Sequence, residues 1–346
     1  MKDGELREGG GAGIAARSVA LMLIAALIAV ALASLCVGEL RLTPAGVVNA
    51  LIDGRNGANG GETPASLIVR ELRLPRFAAA GLVGAGLAVA GALMQAITRN
   101  PLADPTLTGV VGGAALAVVA TNVLVPAMPA GTLPFVALAG GGAAAVLAFA
   151  LAWRARLSPV RLLLAGTTIA ALASAGIVSL MIAAGPRVGP LFYWLAGSLA
   201  AVGWRQVAIL APWTAVGLTA ALAGARVLDT LALGDEAAQS VGLDLMHWRL
   251  VFGGLAVVLS ASAVAIAGPV GFVGLCVPHF ARLLLGGGYR QTLPATALLG
   301  ALLVALADLV ARTVAVPREL PVGFLTALVA TPLLIALIRR DEGGSS

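Results

Sequence analysis

The chain has 346 residues, 60% hydrophobic and only 11% charged, with 22 Lys and Arg against 16 Asp and Glu for a formal net charge of +6. A soluble domain carries about 25% charged residues, so water is not the main solvent of this chain. The basic excess does not point to nucleic acid, because the positive residues stand singly or in pairs at the ends of apolar runs, where orientation signals and headgroup contacts place them.

An apolar run of about 18 or more residues reads as a membrane helix, since about 20 residues at 1.5 Å rise cross the hydrocarbon. Residues 1–17 form a polar tail and 18–37 the first span. That run is long for the core of a signal peptide, and Cys36-Val37-Gly38-Glu39 is a poor cleavage site. A polar segment, 38–76, follows, with "DGRNGANGGETP" as a loop between short helices. Spans two to four are predicted at 77–97, 107–125 and 133–153, with Pro126 and Pro129 marking the turn before the last. After "WRARLSPVR" comes a fifth at 162–184. The stretch "GPRVGPLFYWLAGSLAAVGW" is too short in its apolar part to cross and predicts a partial helix at the interface. A sixth span covers 207–225.

Residues 250–281 hold no Asp, Glu, Lys or Arg and are too long for one span. Gly268-Pro269 and Gly271 divide them into a seventh span and a short eighth. A ninth and tenth fall at 293–313 and 322–338, and 339–346 is a second polar tail. The fold class is therefore all-α, a polytopic membrane protein with about ten transmembrane helices in a single membrane domain, 18–338. Ten spans put both termini on one side. With that side inside, thirteen of the 22 basic residues lie on inner segments, and five of the outer ones lie in the long first loop, which counts less. Both tails are thus expected to be cytoplasmic. The many Gly and Ala residues in the spans predict close helix packing.

The segment "LALGDEAAQSVGLDLMHWRL" interrupts the apolar pattern between spans six and seven, on the inner side. It gathers Asp235, Glu236 and Asp244, with Asp229 just before. Two short helices broken at Gly242 are predicted, with Asp235 or Asp229 capping an N-terminus. Ala237, Ala238 and Val241 would give a compact face able to dock in a groove. A solvated surface helix is the alternative.

Little else offers chemistry. Lys2 is the only lysine, so the chain cannot supply the Gly-rich loop ending in Lys-Ser/Thr that cradles nucleotide phosphates. Cys36 and Cys276 lie in apolar runs and read as small hydrophobes. His247 and His279 have no ligand spacing around them, so no metal site is expected. No catalytic motif stands out, and the chain is not expected to be an enzyme. An ion-coupled carrier places ionisable residues within its spans. Asp308 is the one that fits, and Arg312, one turn on, makes a structural pair the favoured reading over a proton relay.

Five elements, in order, carry a family resemblance: "RLPR" at 73–76, "GALMQAITRNPLADPTLTG" at 91–109, "GPVGFVGLCVPHFAR" at 268–282, "LPATALLGALLVALADLVAR" at 293–312 and "ELPVGFLTALVATP" at 319–332. Together they resemble the FecCD-type, or type II, permease of ATP-binding-cassette importers, which bring ferric siderophores, haem or cobalamin into bacteria. The likeness covers residues 70–332. It implies a homodimer in the bacterial inner membrane with its path on the two-fold axis. It also implies two separate cytoplasmic ATPase subunits, which hold the ATP-Mg, and a periplasmic substrate-binding protein. No cofactor is implied for this chain.

Residue by residue, Asn100, Pro101 and Leu102 resemble the loop at the family's cytoplasmic constriction. Pro101 and Pro105 suit a stiff turn there, a plain loop being the alternative. The other half of that constriction carries small hydroxyl residues in the family, whereas this chain has Ser158-Pro159-Val160, so Pro159 and Val160 are gate candidates by position only. Arg73, Arg76 and Arg312 match basic positions that meet carboxylates of the binding protein; snorkelling or pairing with Glu71 and Asp308 is the alternative. The segment 229–248 falls where the family has its coupling helices. There Asp235, Glu236, Ala237, Ala238, Gly242 and Leu243 are the expected ATPase contacts. The function implied is a permease moving haem or a ferric siderophore into the cytoplasm by alternating access. A cobalamin permease of the same family is the alternative, and an ion-coupled secondary transporter or a non-transporting scaffold are the rivals from other classes.

Overall fold

In lipid every backbone N–H and C=O must be satisfied within the segment, so apolar stretches of Ala, Leu and Val fold as helices. A computed structural model describes residues 5–38, 40–52, 63–106, 108–153, 159–185 and 189–343, and no strand occurs among them. Its helices are α1 (Glu5–Cys36), α2 (Pro44–Ile52), α3 (Pro64–Leu67), α4 (Leu74–Thr98), α5 (Val110–Leu124), α6 (Leu133–Trp153), α7 (Pro159–Ala184) and α8 (Gly189–Leu195). The second half holds α9 (Trp204–Ala223), α10 (Ala225–Ala232), α11 (Asp235–Ser240), α12 (Leu245–Ala267), α13 (Val273–Leu285), α14 (Tyr289–Ala311) and α15 (Val322–Gly343).

Helices stand at all ten expected span positions: α1, α4, α5, α6, α7, α9, α12, α13, α14 and α15. Seven of these are long and apolar enough to cross a membrane, while Val110–Leu124, Val273–Leu285 and Val322–Pro332 are shorter apolar helices. The chain is a multi-pass membrane protein. The partial helix expected after the fifth span is α8.

Three boundaries differ from expectation, the last being that α15 runs on to Gly343, inside the segment read as a second polar tail. α1 opens at Glu5, inside the segment read as a polar tail. The helix containing the second span starts at Pro64 and passes without a break through a π-helical turn, Ile68–Arg73, into α4. Thr63 caps its start by accepting from Ser66 N at 3.2 Å. The arginines do not end this helix because backbone carbonyls take their charge. Arg73 donates to Leu35 O at 2.6 Å and also to Leu40 O, and Arg70 donates to Leu51 O.

α4 is the axis of the bundle, with α9, α12, α13 and α14 packed around it. A Cβ on Gly84 would lie 2.1 Å from Gly300 O, and one on Gly91 would lie 2.0 Å from Gly274 O. Backbone therefore meets backbone where α4 crosses α14 and α13, the close approach that small residues permit in lipid. By contrast only 11% of the apolar windows of α1 and α7 is buried within the chain.

Candidate functional site

Following α9, the chain makes α10, whose Ala225, Leu228 and Leu231 are buried on one side at helical spacing. Gly234, at φ +119, breaks it from α11. The break between the two short helices is thus at Gly234; Gly242, where it was expected, ends the second. There Gly242 N donates to Gln239 O at 2.9 Å and Leu243 N to Ala238 O at 3.0 Å, and Gly242 has φ +80. This is a Schellman end, which needs a left-handed residue at that position.

The acids divide their work. Asp244 caps α12 by accepting from Met246 N at 3.0 Å and His247 N at 3.1 Å. Asp229 accepts from Tyr289 N at 2.5 Å, and so caps α14, sixty residues on. Asp235 caps nothing: the N-cap of α11 is Gly234. Its Oδ1 instead lies 3.2 Å from Arg99 Nη2 and 2.8 Å from Arg249 Nη2. Glu236 is exposed. Ala238 is fully buried against Leu228, Leu231 and Phe252, so the compact face does not include it. Val241 is the C-cap beyond the last helical residue, Ser240, and stays exposed while Ala238 is covered. Leu233 (77% exposed) and Val241 (67% exposed), with Ala237 and Glu236, form the outward surface, and Leu243 is half-buried behind it.

Arg99, the partner of Asp235, is also the C-cap of α4, held at φ 51. Asn100, Pro101 and Leu102 follow at once. Asn100 Oδ1 accepts from Leu102 N at 2.9 Å and Asn100 O from Ala103 N at 3.0 Å, which makes a tight turn with Leu102 exposed. Asp104 is buried beneath it and accepts from Thr106 N at 2.7 Å. Desolvation pushes its carboxyl above the usual carboxylate range, against the pull of Thr106. Pro159 and Val160 open α7, but their side chains lie outside the described residues. The structure thus joins the segment expected to contact the ATPase to one half of the expected gate.

At the opposite end Arg73, Arg76 and Arg312 line one cavity with Glu319. All three are largely buried and bonded within the chain. Arg76 Nη2 lies 2.8 Å from Asp308 Oδ1, and Arg76 Nη1 is 2.9 Å from Glu319 Oε1. Asp308 therefore pairs chiefly with Arg76; its expected partner Arg312 is 4.0 Å away and donates to Ser34 O at 2.5 Å. Arg312 Nε and Glu319 Oε2 are buried in this cluster without a hydrogen-bond partner.

One polar node escaped the sequence reading. Pro278 lies inside α13 and lacks the N–H that would bond Gly274 O. Gln95 of α4 supplies the missing donor, its Nε2 lying 3.1 Å from Gly274 O and 3.2 Å from Leu275 O. Arg282 Nη2 in turn donates to Gln95 Oε1 at 2.7 Å. The available signal was a lone amide in an apolar run.

A bundle of membrane helices with a short helical segment at one face, tied to a turn at the end of its central helix, defines a multi-pass membrane transport protein. The chain belongs to the FecCD transport family, whose model matches residues 26–340. It is 41% identical over 276 residues to the Fe(3+)-citrate import system permease protein YfmD of Bacillus subtilis (strain 168), covering 80% of this chain and 82% of that one. It is 39% identical over 279 residues to the cobalamin import system permease protein BtuC of Halobacterium salinarum, covering 80% and 75%. A solved metal-chelate type ABC transporter in an inward-facing conformation matches with TM-score 0.81 and 28% identity, covering 94% of this chain and 99% of that one.

Proposed function

We propose that this chain is the membrane subunit of an ATP-driven importer that carries a ferric chelate, a siderophore or haem, across the bacterial inner membrane. Family membership and relatives named for ferric citrate import support that substrate class. A cobalamin-importing relative keeps the alternative cargo in the same family. The observation that carries the mechanism is the Arg99–Asp235–Arg249 cluster, which ties α11 to the turn at Asn100–Leu102.

Two copies form the path between them, with both termini cytoplasmic. A pair of cytoplasmic ATPases grips the surface made by Leu233, Glu236, Ala237 and Val241. When ATP draws the ATPases together, α11 moves as a unit because its Schellman end and Ala238 fix its shape. Arg99 follows Asp235, and the Asn100 turn moves with it; Pro159 and Val160 complete the constriction from α7. A substrate-binding protein delivers the chelate to the outer cavity. There Arg73, Arg76 and Arg312 outnumber Asp308 and Glu319, and the cavity presents that net positive charge to its carboxylates. Charge pairs of this kind set register and on-rate.

Association with the ATPase is tested by mild-detergent purification of tagged chain coexpressed with its ATP-binding subunit. Wild type is expected to retain that subunit and Glu236→Arg to lose it. Equal retention by both would remove α11 from the contact.

A further inference from the structure

A groove of about 660 Å³ lies between α6 and α12. Its walls are Val146 and Phe149 on one side, Leu250 and Val257 on the other, and two glycines, Gly142 and Gly254. A Cβ built on either glycine meets open space, so the glycines create the groove rather than serve helix contact. Among the described residues Arg249 is the one charged lining residue, and it stands at one end. From Arg249 to Val257 is eight residues, about 12 Å at helical rise. The hydrocarbon of one leaflet is about 15 Å deep, half of the core. The groove therefore runs from the interface on the α11 side to near mid-span, apolar along its length and cationic at its mouth.

Glu236 and Asp244 lie on the same segment but make no ion pair with Arg249 among the described residues. Arg99 and Arg249 share the single carboxylate of Asp235, so the trio keeps one positive charge at headgroup depth. We propose that this groove is a binding site for an anionic phospholipid. One acyl chain lies between α6 and α12, and the phosphate pairs with the Arg249 guanidinium, which forms charge-assisted bonds to phosphate readily. With the termini inside, the lipid belongs to the cytoplasmic leaflet. Because Arg249 also holds Asp235, bound lipid touches the same cluster that positions α11.

The test is native mass spectrometry of the purified, delipidated protein after addition of phosphatidylglycerol or phosphatidylcholine. Wild type should retain phosphatidylglycerol over phosphatidylcholine about fivefold, the effect of one cation at the membrane surface. Arg249→Gln should abolish that preference. Gly254→Leu, whose Cβ meets open space, fills the groove and should lower retention of both lipids at least severalfold, and Gly142→Leu does the same from the opposite wall should the first variant fold poorly. Equal retention of the two lipids by wild type overturns the proposal. So does unchanged retention in both groove-filling variants, or a disulfide forming between two copies through Val146→Cys, which would show that a second chain occupies the groove.

Discussion

Asp235 Oδ1 sits 3.2 Å from Arg99 Nη2, so the first residue of α11 holds the last residue before the Asn100–Leu102 turn. Arg99 occupies the left-handed region, φ 51, which costs a non-glycine residue roughly 1 kcal/mol or more. The ion pair has both partners partly exposed and adds less than about 1 kcal/mol to stability. Its proposed importance is geometric: it is the contact through which a displacement of α11 would reach the end of the central helix.

If that link carries the coupling, Arg99→Gln and Asp235→Asn should each lower substrate uptake per ATP hydrolysed by roughly fivefold, the size of a coupling of about 1 kcal/mol. The double variant should be no worse than either single one. Transport and hydrolysis measured together in reconstituted vesicles decide this, and independent, multiplying losses would exclude the link.

The shape of α11 matters separately from its charge. Gly242→Pro removes the N–H that bonds Gln239 O and demands φ near −65° where the chain has +80. Uptake should fall at least tenfold, while Gly242→Asn, which tolerates the left-handed region, should keep most of it. Circular dichroism of the purified variants should show the bundle intact in both.

Much of this was legible in the residues. Apolar runs and the Gly268-Pro269-Gly271 punctuation placed the helices, because length and polarity alone decide what crosses lipid. The acidic island announced a segment out of place between spans six and seven. What could not be read was pairing at long range. Spacing favours Arg312, one turn on, as the partner of Asp308, and only the fold decides for Arg76, 232 positions away. The same limit hid Gln95 and Arg282, whose partners lie on α13 and α4. The break in the coupling segment was displaced from Gly242 to Gly234, since either glycine can take positive φ and only packing chooses.

Gln95 serves as a surrogate backbone donor for Pro278. Gln95→Leu leaves Gly274 O without its partner and Arg282 without an acceptor, and an unmet buried group costs about 1–3 kcal/mol. Thermal unfolding in detergent should show Tm lowered by several degrees. Gln95→Glu, which keeps an acceptor for Arg282 but loses the donor to Gly274 O, should fall between the two.

The Arg76–Asp308 pair should be more sensitive than the Arg99–Asp235 pair because it is buried, with the Asp308 side chain 2% exposed. Removing one partner of a buried pair costs about 3–5 kcal/mol. Arg76→Met alone should therefore destabilise far more than Arg76→Met combined with Asp308→Leu. Calorimetry on the three proteins reads the difference; equal losses would mean that the pair is solvated.

Uptake into sealed vesicles tests the proposed transport most directly. The chain is reconstituted with its ATPase subunit and substrate-binding protein, and labelled ferric chelate is supplied on the binding-protein side. Accumulation should require ATP on the opposite face and cease when the ATPase is omitted. Accumulation driven by a proton gradient through this chain alone, with no ATP and no partner, would contradict it.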